Sequence, residues 1–307
     1  MTKVLLATEK PFAAAAVTGI REILDAAGFE TLLLEKYSSK AELLAAVADV
    51  DAIIIRSDII DAEVFAAAKQ LKIVVRAGAG YDNVDLEAAT QHGVCVMNTP
   101  GQNANAVAEL VIAMLLFGIR NRFNGTSGTE LMGKRLGLLA YGATGRNVAR
   151  IAKGLGMQVF AYDPFMPAEA IEAEGVTPIA TTAELFSSCD IVSMHIPATP
   201  ETKGSIGKAL VGSMPKKAIL VNTARKEIIN EAELLEVLKE REDLRYFTDI
   251  QPANHAEMLE ALGERYFATP KKMGAQTAEA NSNAGLAAAR QIVGFIKDGN
   301  ERFRLNK

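Results

Sequence analysis

The feature that most constrains this chain is an alternation that runs along it twice. From residue 3 to 98, short β-branched runs (KVLLAT, TLLLE, AIIIR, KIVVRAG, VCVMN) are separated by Ala-rich segments of helical period such as SKAELLAAVADV and DAEVFAAAKQ. Strands that alternate with amphipathic helices pair in parallel, with the helices packed over the sheet. The alternation returns from 135 to 270, with RLGLLAY, QVFAYD, IVSMHI, AILVNT, RYFTDI and YFATP as strands. The fold expected is α/β, with two doubly wound parallel-sheet domains. An apolar helix is expected between the two units over about 103–121, and an Ala-rich helix over about 277–298, both crossing between domains. A chain of 307 residues suits two cores, and two domains make a cleft.

Composition narrows the partners. The net charge is −4 with both signs scattered, so no basic face is offered to nucleic acid or to an acidic membrane. The longest apolar stretch, AVAELVIAMLLFGIR, is interrupted by Glu109 and is shorter than the roughly 20 residues a membrane span needs. It reads as a buried helix. The start, MTKVLLATEK, reads as a first strand and lacks the long apolar core of a signal peptide. Cys95 and Cys189 have neither the density of a disulfide scaffold nor the spacing of a zinc site, so no metal is expected and a reducing cytoplasm fits best.

The second unit opens with GKRLGLLAYGATGRNVARIAKGLGMQVFAYDPF, a strand, a glycine-containing turn, a helix and a second strand ending in an acid. That order suits a dinucleotide. In the turn Tyr141-Gly142-Ala143-Thr144-Gly145, Gly142 lets the backbone approach a pyrophosphate, Gly145 lets the helix pack on the strand, and the helix N-terminus supplies amides. Asp163 follows Gly142 by 21 residues, the spacing of a ribose partner, and repels a 2′-phosphate. NAD is therefore expected over NADP. The first glycine of the usual pattern is Ala140, which can hold the turn if its φ is negative, so the substitution tests the backbone there without excluding a nucleotide.

Taken together, RAGAGYDNVDLEAATQHGVCVMNTPGQNANAVAEL, GTELMGKRLG, the nucleotide turn, DIVSMHIPATPETKG, MPKKAILVNTARKEIINEAELLEVL and FTDI resemble the D-isomer-specific 2-hydroxyacid dehydrogenases over nearly the whole chain. The resemblance implies a Rossmann-type nucleotide domain, 99–276, inserted into a flavodoxin-like substrate domain made of 1–98 and 277–307. It also implies a cleft where hydride passes and a homodimer built on the nucleotide domain. The wording is nearest to short members that oxidise D-3-phosphoglycerate to 3-phosphohydroxypyruvate for serine synthesis, with no length left for appended regulatory domains. Two alternatives stand beside that reading. One is a D-2-hydroxyacid or hydroxypyruvate reductase without phosphate preference, the other a non-catalytic NAD(H)-binding sensor.

The resemblance assigns residues as well. Arg225, in VNTARKEI, matches the arginine that binds carboxylate and carbonyl oxygen, and its planar fork suits that task. Lys226 follows it where the family usually has glycine. Thr223, His195 and Asp249 match positions lining the cofactor, Asp249 near the nicotinamide. The small residues Ala77, Gly78, Ala79 and Gly80 offer amides that can form a nest for a carboxylate. Arg56, Ser57 and Arg76, at strand ends, match a phosphate clamp, to which Arg135 of a partner subunit could add a charge.

One departure bears on the chemistry. Where the family places a glutamate, this chain has Asn254 followed by His255, and where Thr-Pro-His is usual it reads ATPKKMGAQT with one residue extra. Counting forward selects Lys271 and counting back selects Lys272. A lysine titrates near 10.4, but burial or a neighbouring cation lowers that, whereas a glutamate would stabilise the ammonium. Loss of His and Glu together is thus one coupled replacement by a lysine, with Lys272 preferred. His255 is the lesser candidate for the base, and His92 reads as a surface helix end.

Overall fold

The structure, a computed structural model, describes residues 1–306. The chain divides into two compact units, Met1–Asn103 with Gln276–Lys307 and Ala104–Ala275. Each of the two long helices, Ala104–Ile119 and Ala278–Asp298, lies wholly within one unit.

Unit 1 holds five parallel strands, β1 (Lys3–Thr8), β2 (Glu30–Glu35), β3 (Ala52–Ile55), β4 (Ile73–Arg76) and β5 (Cys95–Asn98), in the order β2-β1-β3-β4-β5. This is the flavodoxin-like order expected from the sequence. Alternate residues of the same strand feed opposite apolar layers. Leu5, Ile53, Ile55 and Val74 face one core, while Val4, Leu6, Ile54 and Val75 face the other. A strand buried on both sides must be apolar at every position, as AIII of β3 is. The edge beside β5 is closed by the C-terminal tail. Met97 bridges Arg304 in antiparallel fashion, and Asn306 accepts the Val96 amide at 2.8 Å while donating to the Val94 carbonyl at 2.9 Å.

Unit 2 holds seven parallel strands, β6 (Arg135–Leu139), β7 (Gln158–Tyr162), β8 (Thr177–Pro178), β9 (Ile191–Met194), β10 (Ile219–Asn222), β11 (Arg245–Thr248) and β12 (Tyr266–Ala268). Their order, β12-β11-β10-β9-β6-β7-β8, is that of a doubly wound dinucleotide fold, with the switch point between β6 and β9. The two-residue edge strand β8, ending in a proline, carries no apolar run and was not among the expected strands.

The helix Ala104–Ile119 differs from the wholly buried helix read from its apolar run. It buries a stripe through Ala104, Ala108, Val111, Leu115 and Ile119, while Glu109 and Leu116 are exposed. Glu109 is accommodated on the outer face, where it accepts from the Asn105 amide at 2.7 Å. No helix among the described residues is long and apolar enough to cross a membrane.

Candidate active site

The nucleotide turn leaves β6 at the switch point and enters the helix Ala143–Gly154. Ala140 has φ 78°, the left-handed region, so it does not meet the condition of a negative φ under which alanine would sit in the turn without strain. The reason is the sharp reversal needed to bring the helix under the strand end. The Ala140 amide donates to Tyr162 O at 2.9 Å, and its carbonyl lies where a Cβ on Gly145 would come within 2.5 Å. Gly145 is therefore required by close approach. Gly142 precedes the helix with open space around it and no side chain capping the first amides, so the helix N-terminus is available to an anion. Ala143 is exposed and Thr144 half-buried in that first turn. Asp163, after β7, accepts the Tyr141 amide at 2.9 Å and the Phe165 amide at 2.9 Å, which fixes its carboxylate beside the turn. A carboxylate has about four acceptor sites, so these two bonds leave capacity for ribose hydroxyls.

Three further cofactor candidates sit at the ends of β9, β10 and β11. His195 follows β9, its Nε2 3.0 Å from Ser193 Oγ, and desolvation pushes its pKa down to about 4. It is a neutral imidazole at physiological pH. Thr223, after β10, has a buried hydroxyl with no hydrogen-bond partner among the described residues. Such an orphan is costly unless a ligand satisfies it. The uncapped helix, the fixed acid and the orphan hydroxyl together fit a dinucleotide.

Asp249, at the end of β11, is fully buried and behaves differently from the cofactor contact expected. Its Oδ1 accepts the Thr269 hydroxyl at 2.9 Å and the Met273 amide at 2.8 Å, and its Oδ2 accepts the Gly274 amide at 2.7 Å. Both oxygens thus anchor the segment that carries the two lysines. At the neighbouring strand end, buried Asn222 donates to Arg225 O at 2.9 Å and accepts the Ala224 amide at 3.0 Å, setting the bend on which Arg225 stands. The Ala224 carbonyl then gathers two cations, Arg225 Nη1 at 3.0 Å and Lys272 Nζ at 3.4 Å. Lys271 is exposed and makes no side-chain hydrogen bond among the described residues, and Lys226 is exposed in the 3-10 turn Lys226–Ile228. Lys272 is exposed too. His255 turns away, its Nδ1 2.7 Å from the Tyr266 hydroxyl, whose ring stacks on Tyr246.

In unit 1 the clamp is only partly as expected. Arg56 Nη1 donates to Lys10 O at 2.9 Å and Pro11 O at 3.0 Å, and Nη2 to Asn281 Oδ1 at 2.6 Å, so most of its fork is committed to protein. Arg76 Nε donates to Arg56 O at 3.0 Å, and its guanidinium lies where a Cβ on Gly78 would be, at φ 149°. Ser57 is exposed. The expected nest narrows, because the Ala77 and Gly78 amides already donate to Ile55 O and Arg76 O, leaving those of Ala79 and Gly80. Arg135 starts β6 at the amino edge of its own sheet, stacked 4.4 Å over Phe160.

Residues 117–270 match the family model described as D-isomer specific 2-hydroxyacid dehydrogenase, NAD binding domain. The NAD+-bound 3-phosphoglycerate dehydrogenase of Entamoeba histolytica is 47% identical over 100% of this chain and 99% of that chain, with a TM-score of 0.89. The chain belongs to the D-isomer specific 2-hydroxyacid dehydrogenase family. Among the family's curated proteins, the D-3-phosphoglycerate dehydrogenase of Methanocaldococcus jannaschii is 36% identical, the match covering 84% of this chain and 52% of the relative. That of Sus scrofa is also 36% identical, over 90% of this chain and 54% of the relative. The chain spans about half the length of the curated relatives it matches.

The family reading missed the residues that hold others in place. Asp58, buried after β3, accepts the amides of Glu9 and Arg56 and the Tyr37 hydroxyl at 2.7–3.0 Å, tying the ends of β1 and β3 together. Asn222, Thr269 and Asn281 do comparable work. Their only sequence signal is a polar residue at or within three positions of the end of an apolar strand, or in a helix's first turn for Asn281, and both are common in any α/β chain.

Proposed function

We propose that the protein oxidises D-3-phosphoglycerate to 3-phosphohydroxypyruvate, with NAD as hydride acceptor and Lys272 as the acid–base group. The observation that carries this reading is the convergence of Arg225 and Lys272 on the Ala224 carbonyl, which puts a carboxylate-binding fork beside a proton acceptor. Arg225 takes the substrate carboxylate and the oxygen being oxidised. Lys272, as neutral amine, removes the hydroxyl proton while the carbinol hydrogen leaves as hydride, and a guanidinium beside an amine disfavours its ammonium form. NAD supplies the electron-pair sink. The uncapped turn after Gly142 takes its pyrophosphate, Asp163 its ribose and Thr223 a further polar group. The Ala79 and Gly80 amides and Arg76 take anionic oxygens of the substrate. The names of the relatives support the phosphorylated substrate. Two buried free cysteines support a reducing, cytoplasmic setting, and a homodimer is part of the reading.

A second reading, a hydroxypyruvate-type reductase without phosphate preference, is favoured by the commitment of the Arg56 fork to Lys10, Pro11 and Asn281. The test is NADH oxidation with 3-phosphohydroxypyruvate and with hydroxypyruvate, for wild type, Lys271→Ala, Lys272→Ala and Arg76→Ala. Preference for the phosphorylated acid, lost in Arg76→Ala, with a loss of about 10²–10⁴ in kcat/KM for Lys272→Ala alone, is the expected result. Equal use of both acids supports the second reading. No turnover despite NADH binding overturns both and leaves an NAD(H)-binding protein.

A further inference from the structure

At the amino edge of the unit 2 sheet, away from the nucleotide turn, β9, β10 and β11 begin. Their first residues line a cavity of about 500 Å³, into whose wall Lys134, Lys216, Lys217, Arg245 and Arg265 are also built. Five cations around one cavity are unexpected in a chain whose net charge is −4. Three acids share the wall, but two are already engaged. Asp190 accepts the Arg135 amide at 2.8 Å. Asp243 is forked by Arg241 at 2.8 Å and accepts the Lys217 amide at 2.7 Å, which holds its carboxyl well below the usual range. Asp190, bonded only to a neutral amide, and Glu242 keep their charges, while that of Asp243 is offset by Arg241, so the five cations still outnumber the acids that face them.

The cations differ in readiness. Arg245 and Arg265 give donors to the carbonyls of Gly118 and Leu238 at 2.7 and 2.9 Å, which makes them fixed parts of the wall. None of the three lysines forms an ion pair among the described residues. Lys217 moreover has φ 63°, a left-handed backbone that glycine would adopt without strain. A strained backbone that holds a charged side chain at a cavity suggests that the charge is used. The volume is that of a small-metabolite site, and the hydroxyls of Ser127 and Thr129 also line it.

We infer that this cavity binds a small, multiply charged phosphate compound, at a site separate from the nucleotide turn. Isothermal titration with pyrophosphate tests it on wild type, Lys216→Glu, Lys217→Gly and Gly142→Val. The last variant blocks the helix N-terminus of the nucleotide turn at a position with room for a side chain. Because the turn itself can take a pyrophosphate, the cavity is read in the Gly142→Val background, where binding that persists and is weakened about tenfold on adding either lysine change is the expected result. Lys217→Gly relieves backbone strain, so a raised thermal midpoint without pyrophosphate shows that its weakened binding is not a folding defect. No binding in wild type, or binding that survives both lysine changes in the Gly142→Val background, or binding lost in Gly142→Val, overturns the inference.

Discussion

Ala140 carries a left-handed backbone at the one place in the nucleotide turn where the sequence departs from glycine. Ala140→Gly is expected to stabilise the protein by about 1 kcal/mol by removing that strain, measured as a shift in urea midpoint at constant slope. His195 gives a second residue-scale prediction. Its folded pKa of about 4 lies below the ordinary 6.5, so the unfolded chain binds the proton more readily. Its contribution is present above pH 6.5 and is lost as pH falls toward 4, by up to ~3 kcal/mol. Denaturation of wild type and His195→Asn across that range should show a difference that grows as the solution is acidified, and parallel curves would refute it. At this scale the sequence was legible where a residue type can do one thing, as with Gly145 at a close approach. It was illegible where the outcome depends on backbone angle or on which donors are already engaged, as with Ala140 and Arg56.

The segment 269–274 is an element without regular structure, held by one buried carboxylate. Because both oxygens of Asp249 face donors from Thr269, Met273 and Gly274, Asp249→Asn must point an amide N–H at a donor. The lysine segment then shifts. The expected result is a fall of about 10–100-fold in kcat/KM with the NADH dissociation constant nearly unchanged. A weakened NADH constant with intact turnover would instead place Asp249 at the nicotinamide. The strands themselves could be read from their β-branched runs, and the two long helices from their period. The three-way anchoring of this segment could not, because its partners lie some twenty residues apart in a stretch with no periodicity. The exposed face of the helix Ala104–Ile119 was hidden for a related reason: exposed alanines and leucines look like core in a composition-weighted reading.

Each unit has its own sheet with apolar layers on both faces, Leu136, Leu138 and Val221 on one side of the second and Val192, Met194 and Leu220 on the other. Residues 104–275 expressed alone are therefore expected to unfold cooperatively and to bind NADH within about tenfold of the whole chain. Calorimetry and fluorescence titration of the fragment check this, and a molten fragment would show that the second core depends on the first. The doubling of the α/β pattern was visible in the sequence because buried parallel strands demand unbroken apolar runs.

The closure of β5 by Arg304 and Asn306, and the packing of Ala284, Ala288 and Ile292 on the first sheet, have a consequence for how the protein is made. The ribosome delivers the opening strands first and their covering helix last, with all of Ala104–Ala275 synthesised between. At ordinary translation speed that interval is roughly 10–30 s, during which one face of a nascent sheet waits with only part of its cover, the helix Ala14–Ala26, in place. The inserted unit can fold as it emerges. The amino-terminal third is the part that a chaperone would have to shelter.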